Sequence, residues 1–131
     1  MSGKNVVIAG IIVRGLGEGT YFMSMKHYQE ELKNKLGFNT YPGTLNLKVN
    51  KKQINLLNNF TPIKINGFKS GNKKFGGANC YMAKIKNING SIIVPDLTKH
   101  NKNVIEFIAP HHLKSELNLR DGDKIKIELI K

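Results

Sequence analysis

The sequence predicts a mainly β fold, a small closed β-barrel with one or two short helices. Short apolar segments rich in Val and Ile follow one another along the chain, and Gly, Pro and Asn separate them. Helices are few: one segment repeats apolar residues at the spacing of a helix, and a second, short helix is expected near the end of the chain. Closure into a barrel is favoured because it removes the exposed edges that so many short strands would otherwise present.

Length and composition favour one folded domain over residues 1–131. With 40% of the residues hydrophobic and 23% charged, the chain can bury one core and is unlike a disordered tail. It has no stretch of roughly 20 apolar residues and no signal peptide at its start, so we expect a cytoplasmic protein. A single cysteine, Cys80, excludes an internal disulfide and a Cys-rich zinc site.

The charge of the chain points to an anionic partner without choosing one. Lys and Arg number 21 against 9 Asp and Glu, which gives a formal net charge of +12. Nucleic acid, phosphate-bearing small molecules and acidic membrane surfaces all fit this charge. The lysines are scattered and form no basic run, so much of the charge is that of an ordinary solvated surface.

The strands are predicted from β-branched or alternating segments. The first, Val6 to Val13, is almost continuously apolar and ends at a cluster of glycines. The others are Thr44 to Val49, Pro62 to Phe68, Cys80 to Ile88, Ser91 to Val94, Val104 to Ile108 and Lys124 to Ile130. The turn from Leu119 to Asp123 before the last strand informs the fold more than the activity.

Two helices are predicted. In the first, Ser24 is the candidate N-cap and Gly37 the C-terminal stop. Between them, the apolar residues at helical spacing are Met25, Tyr28, Leu32 and Leu36. A second, short helix is predicted from His112 to Asn118.

The glycine cluster is a candidate anion-binding loop. It runs from Gly15 to Gly19 between Arg14 and Thr20, directly after a strand. Glycines let backbone N–H groups approach an anion closely, and the two flanking side chains are hydrogen-bond donors. Neither a Walker loop nor a dinucleotide-binding turn is supported by the spacing. A tight β-turn is the structural alternative.

Thr44 and Asn46 are a candidate site for a hard cation. Because strand side chains alternate, Leu45, Leu47 and Val49 face the core, and the Thr44 hydroxyl lies beside the Asn46 amide on the other face. Neutral oxygens such as these, with phosphate oxygens and waters, suit Mg²⁺. The alternative is an ordinary polar face of a half-buried strand.

Glu106 is a candidate general base or a ligand of a substrate hydroxyl. Its neighbours two residues away, Val104 and Ile108, are apolar, so its carboxyl group needs a dedicated partner or a raised pKa. The alternative is a charge that protects an edge strand from aggregation.

The segment Ala109 to Lys114 leads into the second predicted helix and is a candidate anion site, with Lys114 adding a positive charge. His111 and His112 are adjacent and so make a poor metal pair. His27 and His100 show no ligand spacing to them, and Cys80 with any histidine is a weak candidate for a nucleophilic pair.

Five segments together carry a resemblance to a known family. They are Gly15 to Gly19, Tyr41 to Leu47, Ile93 to Pro95 with Thr98, Glu106 to Pro110, and Leu119 to Asp123. In this order, and over nearly the whole chain, they resemble the archaeal CTP-dependent riboflavin kinases. Each motif is weak by itself, and their common order makes the resemblance specific.

The resemblance implies a six-stranded cradle-loop barrel that transfers the γ-phosphoryl group of CTP to the 5′-hydroxyl of riboflavin, giving FMN and CDP. It implies one Mg²⁺ on Thr44 and Asn46, and flavin contacts from Thr98 and Glu106, with Glu106 also our candidate base. The implied nucleotide-binding residues are Gly15, Leu16, Gly17, Glu18, Gly19, Thr20, His111, His112, Leu113 and Lys114.

Two departures qualify what the resemblance implies. Lys114 stands where some members have Arg, and lysine lacks the bidentate fork of arginine, so we expect a weaker or rearranged nucleotide contact there. Some members also carry a helix-turn-helix domain ahead of the barrel, whereas this sequence predicts a single barrel domain and a monomer.

Two other functions remain open from the sequence. One is a basic barrel that binds DNA, against which stand the lack of an Arg-rich run and the repulsion between Glu106 and phosphates. The other is a riboflavin or nucleotide carrier without turnover. We expect riboflavin, FMN, CTP and CDP as partners, and neither a membrane nor nucleic acid.

Overall fold

Alternation of side chains along the first strand, β1 (Val7–Val13), sets the pattern of the fold. Ile8 and Ile12 are fully buried, whereas Val7 and Ile11 on the other face are partly exposed, at 43% and 41%. This is a strand with one face in a core and one face outward. The computed structural model that shows it describes residues 6–15, 18–96 and 103–130, with the backbone alone at Glu18.

The remaining elements follow in short succession. The strands are β2 (Leu45–Lys48), β3 (Ile63–Ile65), β4 (Phe68–Ser70), β5 (Lys73–Phe75), β6 (Ala78–Ile85), β7 (Ile88–Pro95), β8 (Val104–Ile108) and β9 (Lys124–Leu129). The helices are α1 (Glu18–Met23), α2 (Lys26–Leu36), α3 (Lys51–Ile54) and α4 (Leu113–Glu116), with a 3-10 turn at Asn55–Asn59. Across the described ranges, no helix has the length and apolar character needed to span a membrane.

Six antiparallel strands of the described chain close into a ring. Their order is β6, β7, β8, β2, β1 and β9, and β9 returns to β6 through the pairs Ala83 with Leu129 and Lys84 with Glu128. β3 adds to the start of β6, where Ile63 lies opposite Cys80. β4 and β5 form a separate hairpin. The predicted closed six-stranded barrel is confirmed.

Two apolar clusters hold the barrel and its helices. The inner faces of the ring strands fill the barrel with residues such as Ile8, Leu47 and Phe107. A second cluster lies outside the ring, where Leu32 of α2 packs on Ile93 and Ile108. Because Leu32 is fully buried, this second cluster fixes α2 against the outer face of β6, β7 and β8.

Side chains of α2 also bind the edge of β3 that faces away from β6. Lys35 Nζ donates to the Lys64 carbonyl at 2.6 Å, and Glu31 accepts from the Asn66 N–H at 2.9 Å. That N–H bond is the main reason why the pKa of the Glu31 carboxyl lies below its usual value. One face of the helix therefore satisfies backbone groups that an open strand edge would expose.

The helical region differs from the prediction at its start. Ser24 is not an N-cap: Met25 takes that position, and the Ser24 hydroxyl donates to the Thr20 carbonyl of α1 at 2.6 Å. α1 itself, which ends directly before Ser24, was not predicted. Gly37 does end α2, with a positive φ of 85°.

Two further differences concern short elements. The predicted strand from Pro62 to Phe68 is divided into β3 and β4, and β5 was not predicted. The rings of Phe68 and Phe75 stack with their centroids 4.8 Å apart. These two residues, at the start of β4 and the end of β5, hold the two strands of the hairpin together. The predicted helix from His112 to Asn118 is confirmed as the shorter α4, and α3 was missed.

The position of Cys80 beneath α2 yields a test of the packing. Cys80 is fully buried, and burial raises the pKa of its thiol to about 12. We expect no measurable alkylation by iodoacetamide at pH 8 in the folded protein, because the thiol is both inaccessible and protonated. Complete labelling in denaturant is the control, and rapid labelling of the native protein would show that this cluster is open.

Candidate functional site

A row of side chains crosses the outer face of the barrel and changes from apolar to polar at Glu106. Strand register places Cys80 opposite Ile93, Ile93 opposite Glu106, and Glu106 opposite Asn46, which in turn lies opposite Val13. α2 covers the apolar half of this row. The polar half, on β8 and β2, is where the candidate residues meet.

The polar side chains of this row contact one another. The Thr44 hydroxyl donates to Glu106 Oε1 at 3.0 Å. The Asn46 amide donates to the carbonyl and to the hydroxyl oxygen of Thr44, each at 3.4 Å. The expectation that Thr44 and Asn46 lie side by side off the core face is confirmed, and Glu106 joins them from the next strand.

Glu106 lies in the interior of the sheet. β8 is paired with β7 on one side and with β2 on the other, and the Glu106 side chain is only 9% exposed. The alternative that Glu106 protects an edge strand is therefore wrong. A buried carboxyl group requires hydrogen-bond partners, and the Thr44 hydroxyl is one of those that the fold provides.

The glycine segment lies directly over the Thr44 and Asn46 side chains. A Cβ at Gly15 would overlap Asn46 Nδ2, and a Cβ at Gly19 would overlap Thr44 Oγ1. Only glycine allows the backbone to come this close. α1 begins within the cluster at Glu18, so the segment is more than a tight β-turn between strands.

These groups line one cleft of about 280 Å³. Most of the predicted site residues line it: Gly15, Gly19, Thr20, Thr44, Asn46, Glu106, His111, His112, Leu113 and Lys114. Leu16, Gly17 and Thr98 lie outside the described residues, as does the side chain of Glu18. Arg14 is exposed and is not among the residues that line the cleft.

The segment after β8 forms one wall of the cleft, and its side chains have specific partners. His112 Nδ1 lies 2.7 Å from the Ser115 hydroxyl, and His111 Nδ1 lies 3.5 Å from Glu116 Oε1. Lys114 Nζ contacts Asp121 at 2.7 Å. The charge that we expected from Lys114 is therefore partly offset by a neighbouring carboxylate.

Sequence reasoning missed Tyr41, which also lines the cleft. The residue precedes Pro42 and Gly43 and was interpreted only as part of their turn. Its ring stacks on the imidazole of His112 with centroids 4.9 Å apart and planes 27° apart. The signal available in the sequence was an aromatic residue three positions before Thr44, which identifies no contact by itself.

The atoms that the cleft offers as metal ligands suit a hard cation better than they suit zinc. In the described part of the chain, no three His, Cys, Asp or Glu side chains come together as metal ligands. Thr44 and Asn46 instead offer neutral oxygens beside the Glu106 carboxyl group. Mg²⁺ is bound by few protein oxygens together with phosphate oxygens and waters, so the residues present fit it.

Fold and cleft together define a class of protein: a small closed antiparallel barrel with a polar cleft on its outer face. Residues 12–129 match the model of the CTP-dep_RFKase family, which is described as "Domain of unknown function DUF120". This match covers most of the chain. The protein belongs to the CTP-dep_RFKase family.

Curated relatives from archaea agree with this assignment. The chain is 40% identical to the riboflavin kinase of Pyrobaculum islandicum, over 95% of this chain and 61% of the relative. It is 43% identical to the riboflavin kinase of Methanocella arvoryzae, over 94% of this chain and 56% of the relative. The chain thus spans somewhat more than half the length of these proteins.

Proposed function

We propose that this protein is a CTP-dependent riboflavin kinase, which transfers the γ-phosphoryl group of CTP to the 5′-hydroxyl of riboflavin to give FMN and CDP. The observation that carries the proposal is the meeting of a glycine backbone, the Thr44 and Asn46 pair and buried Glu106 in one cleft. The names of the relatives support riboflavin as the acceptor, and the family name supports CTP as the donor.

The glycine segment and the segment after β8 are the proposed nucleotide-binding walls. Gly15 and Gly19 have no side chains of their own and line the cleft, and glycine backbone can bring its N–H groups close to phosphate oxygens. The segment after β8 contributes His111, His112 and Lys114 to the lining of the same cleft. Phosphoryl transfer requires little covalent chemistry from the protein, and positioning of the two substrates is the main contribution of these walls.

Thr44 and Asn46 are the proposed ligands of one Mg²⁺. When bound, the ion supplies charge neutralisation to the phosphates. The Thr44 hydroxyl is shared between this role and its hydrogen bond to Glu106. Glu106 is therefore held at the edge of the phosphate site, where it can orient an incoming hydroxyl.

Glu106 is the proposed general base. Its Oε1 accepts from Thr44, and as a carboxylate it can accept the proton of the riboflavin 5′-hydroxyl while that oxygen bonds to the γ-phosphorus of CTP. The bond from this phosphorus to the β,γ-bridging oxygen breaks, and CDP leaves with that oxygen. Thr98 is proposed as a second flavin contact on the basis of the family resemblance.

Incubation of the purified protein with riboflavin, Mg²⁺ and each of the four NTPs tests the proposal. We expect FMN and CDP with CTP, and far less FMN with ATP, measured by chromatography. If no NTP yields FMN and the protein binds duplex DNA with an affinity that falls steeply with salt, the DNA-binding alternative is correct. If CTP or riboflavin binds without turnover, the protein is a carrier.

Replacement of the proposed metal ligands tests their role. Thr44→Val and Asn46→Leu should each lower turnover sharply and weaken Mg²⁺ and nucleotide together, because a hard-cation site loses an oxygen. Both variants should remain folded, although Thr44→Val also removes a donor from buried Glu106, at a cost of about 1–3 kcal/mol.

The matched controls for these variants are Thr61→Val and Asn89→Leu, which change exposed residues away from the cleft. They should leave turnover unchanged. Normal turnover of Thr44→Val and Asn46→Leu across a Mg²⁺ titration would show that the metal assignment is wrong.

Replacement of Glu106 by Gln tests the general base. The change keeps the size of the side chain and removes the proton acceptor, so kcat should fall by roughly 10²- to 10⁴-fold. Nucleotide affinity should change little. The control is Glu128→Gln, which alters a carboxylate on β9 that pairs with Lys84.

The kinetic pattern of Glu106→Gln separates its possible roles. A rise confined to the riboflavin KM would mean that Glu106 binds the flavin without acting as the base, because only uniform binding is lost. Unchanged kcat and KM would remove Glu106 from the site altogether.

A further inference from the structure

Two aromatic rings, those of Tyr41 and His112, form a stack on the wall of the cleft. Their planes differ by 27° and their centroids lie 4.9 Å apart. Tyr41 is 40% exposed, so the stack is not completely covered by other residues. Both residues line the polar cleft, where aromatic side chains can contact a planar ligand.

Both rings are held in place by neighbouring groups. The Tyr41 N–H donates to the Ala109 carbonyl at 2.7 Å, which ties the turn before β2 to the segment after β8. The Ser115 hydroxyl lies 2.7 Å from His112 Nδ1 and fixes that imidazole. A Cβ at Gly43 would lie 3.3 Å from Tyr41 Cε1, so the phenol ring rests against bare backbone.

We propose that Tyr41, together with His112, is the stacking platform for the nucleobase of the phosphoryl donor. This inference rests on the proposed kinase function and adds a residue to its nucleotide site. The turn from Tyr41 to Gly43 leads directly to Thr44, so the platform and the proposed phosphate site lie at two parts of one cleft. A nucleotide has this arrangement of a planar base and a charged phosphate chain.

Stacking on the platform contributes to nucleotide affinity, and other contacts determine which base is preferred. Every nucleobase presents a π face, so stacking on an aromatic side chain tolerates any base. Loss of the Tyr41 ring should therefore weaken cytidine and adenosine nucleotides by the same factor. The isoalloxazine ring of riboflavin is the competing occupant, and the experiment below separates it from the base.

The experiment measures dissociation constants by calorimetry, in Mg²⁺ and without riboflavin, for CDP, ADP and inorganic tripolyphosphate. Tyr41→Ala should weaken CDP and ADP by about 5- to 150-fold, as expected for a lost base stack. Tripolyphosphate has no base and should bind as it does to the wild type. Tyr41→Phe keeps the ring and should bind all three ligands nearly normally.

Tyr21→Ala is the matched control, because Tyr21 is an exposed tyrosine that does not line the cleft. It should leave all three affinities unchanged. Thermal unfolding of each variant shows whether the barrel is intact. The expected normal affinity of Tyr41→Ala for tripolyphosphate would show that the phosphate site is intact as well.

Steady-state assays of FMN formation with Tyr41→Ala add the riboflavin KM to these measurements. Three results would overturn the platform alone: unchanged CDP affinity in Tyr41→Ala, an equal loss for tripolyphosphate, or an effect confined to the riboflavin KM. The last would assign the stack to the flavin. These results are compatible with a wild-type protein that makes FMN. A wild type that binds no nucleotide and makes no FMN would instead overturn the proposed function, and the platform with it.

Discussion

The hydrogen bond from the Thr44 hydroxyl to the Glu106 carboxyl group depends on the register in which β2 and β8 pair. It joins a buried carboxyl group on β8 to the residue that precedes β2, and it exists only in the observed register, with Asn46 opposite Glu106. A slip of one residue would turn Leu45 and Leu47 outward and bring polar side chains into the core. The apolar interior and the polar cleft are therefore consequences of the same pairing.

The outer face of the barrel serves two purposes on either side of Glu106. Ile93 and Ile108 belong to the half that α2 covers, and Asn46 belongs to the half that remains accessible. α1 lies at the boundary, since Met23 at its end is buried in the second cluster while Gly19 and Thr20 line the cleft. The packing that fixes the helices thus also positions the glycine segment over Thr44 and Asn46.

The sequence patterns predicted the features that arise from local alternation of side chains along a strand. They missed the features that depend on contacts between residues far apart in the sequence. The alternation around Thr44 and the isolation of Glu106 on an apolar segment both pointed to the cleft. α1 was missed because it is short and contains Gly19, a poor helix former, so packing of Met23 must stabilise it. The stack of Tyr41 on His112 joins residues far apart in sequence, and no periodicity reports such a pair.

The cleft contains less positive charge than the net charge of +12 for the whole chain would indicate. Lys114, the lysine that lines the cleft among the described residues, is already paired with Asp121. The described lining also includes the neutral side chains of Thr44 and Asn46 and the backbone of Gly15 and Gly19. All described residues of the cleft lie between Val13 and Lys114, within the segment 12–129 that defines the family. The described residues of this cleft therefore all belong to the segment that matches the family model.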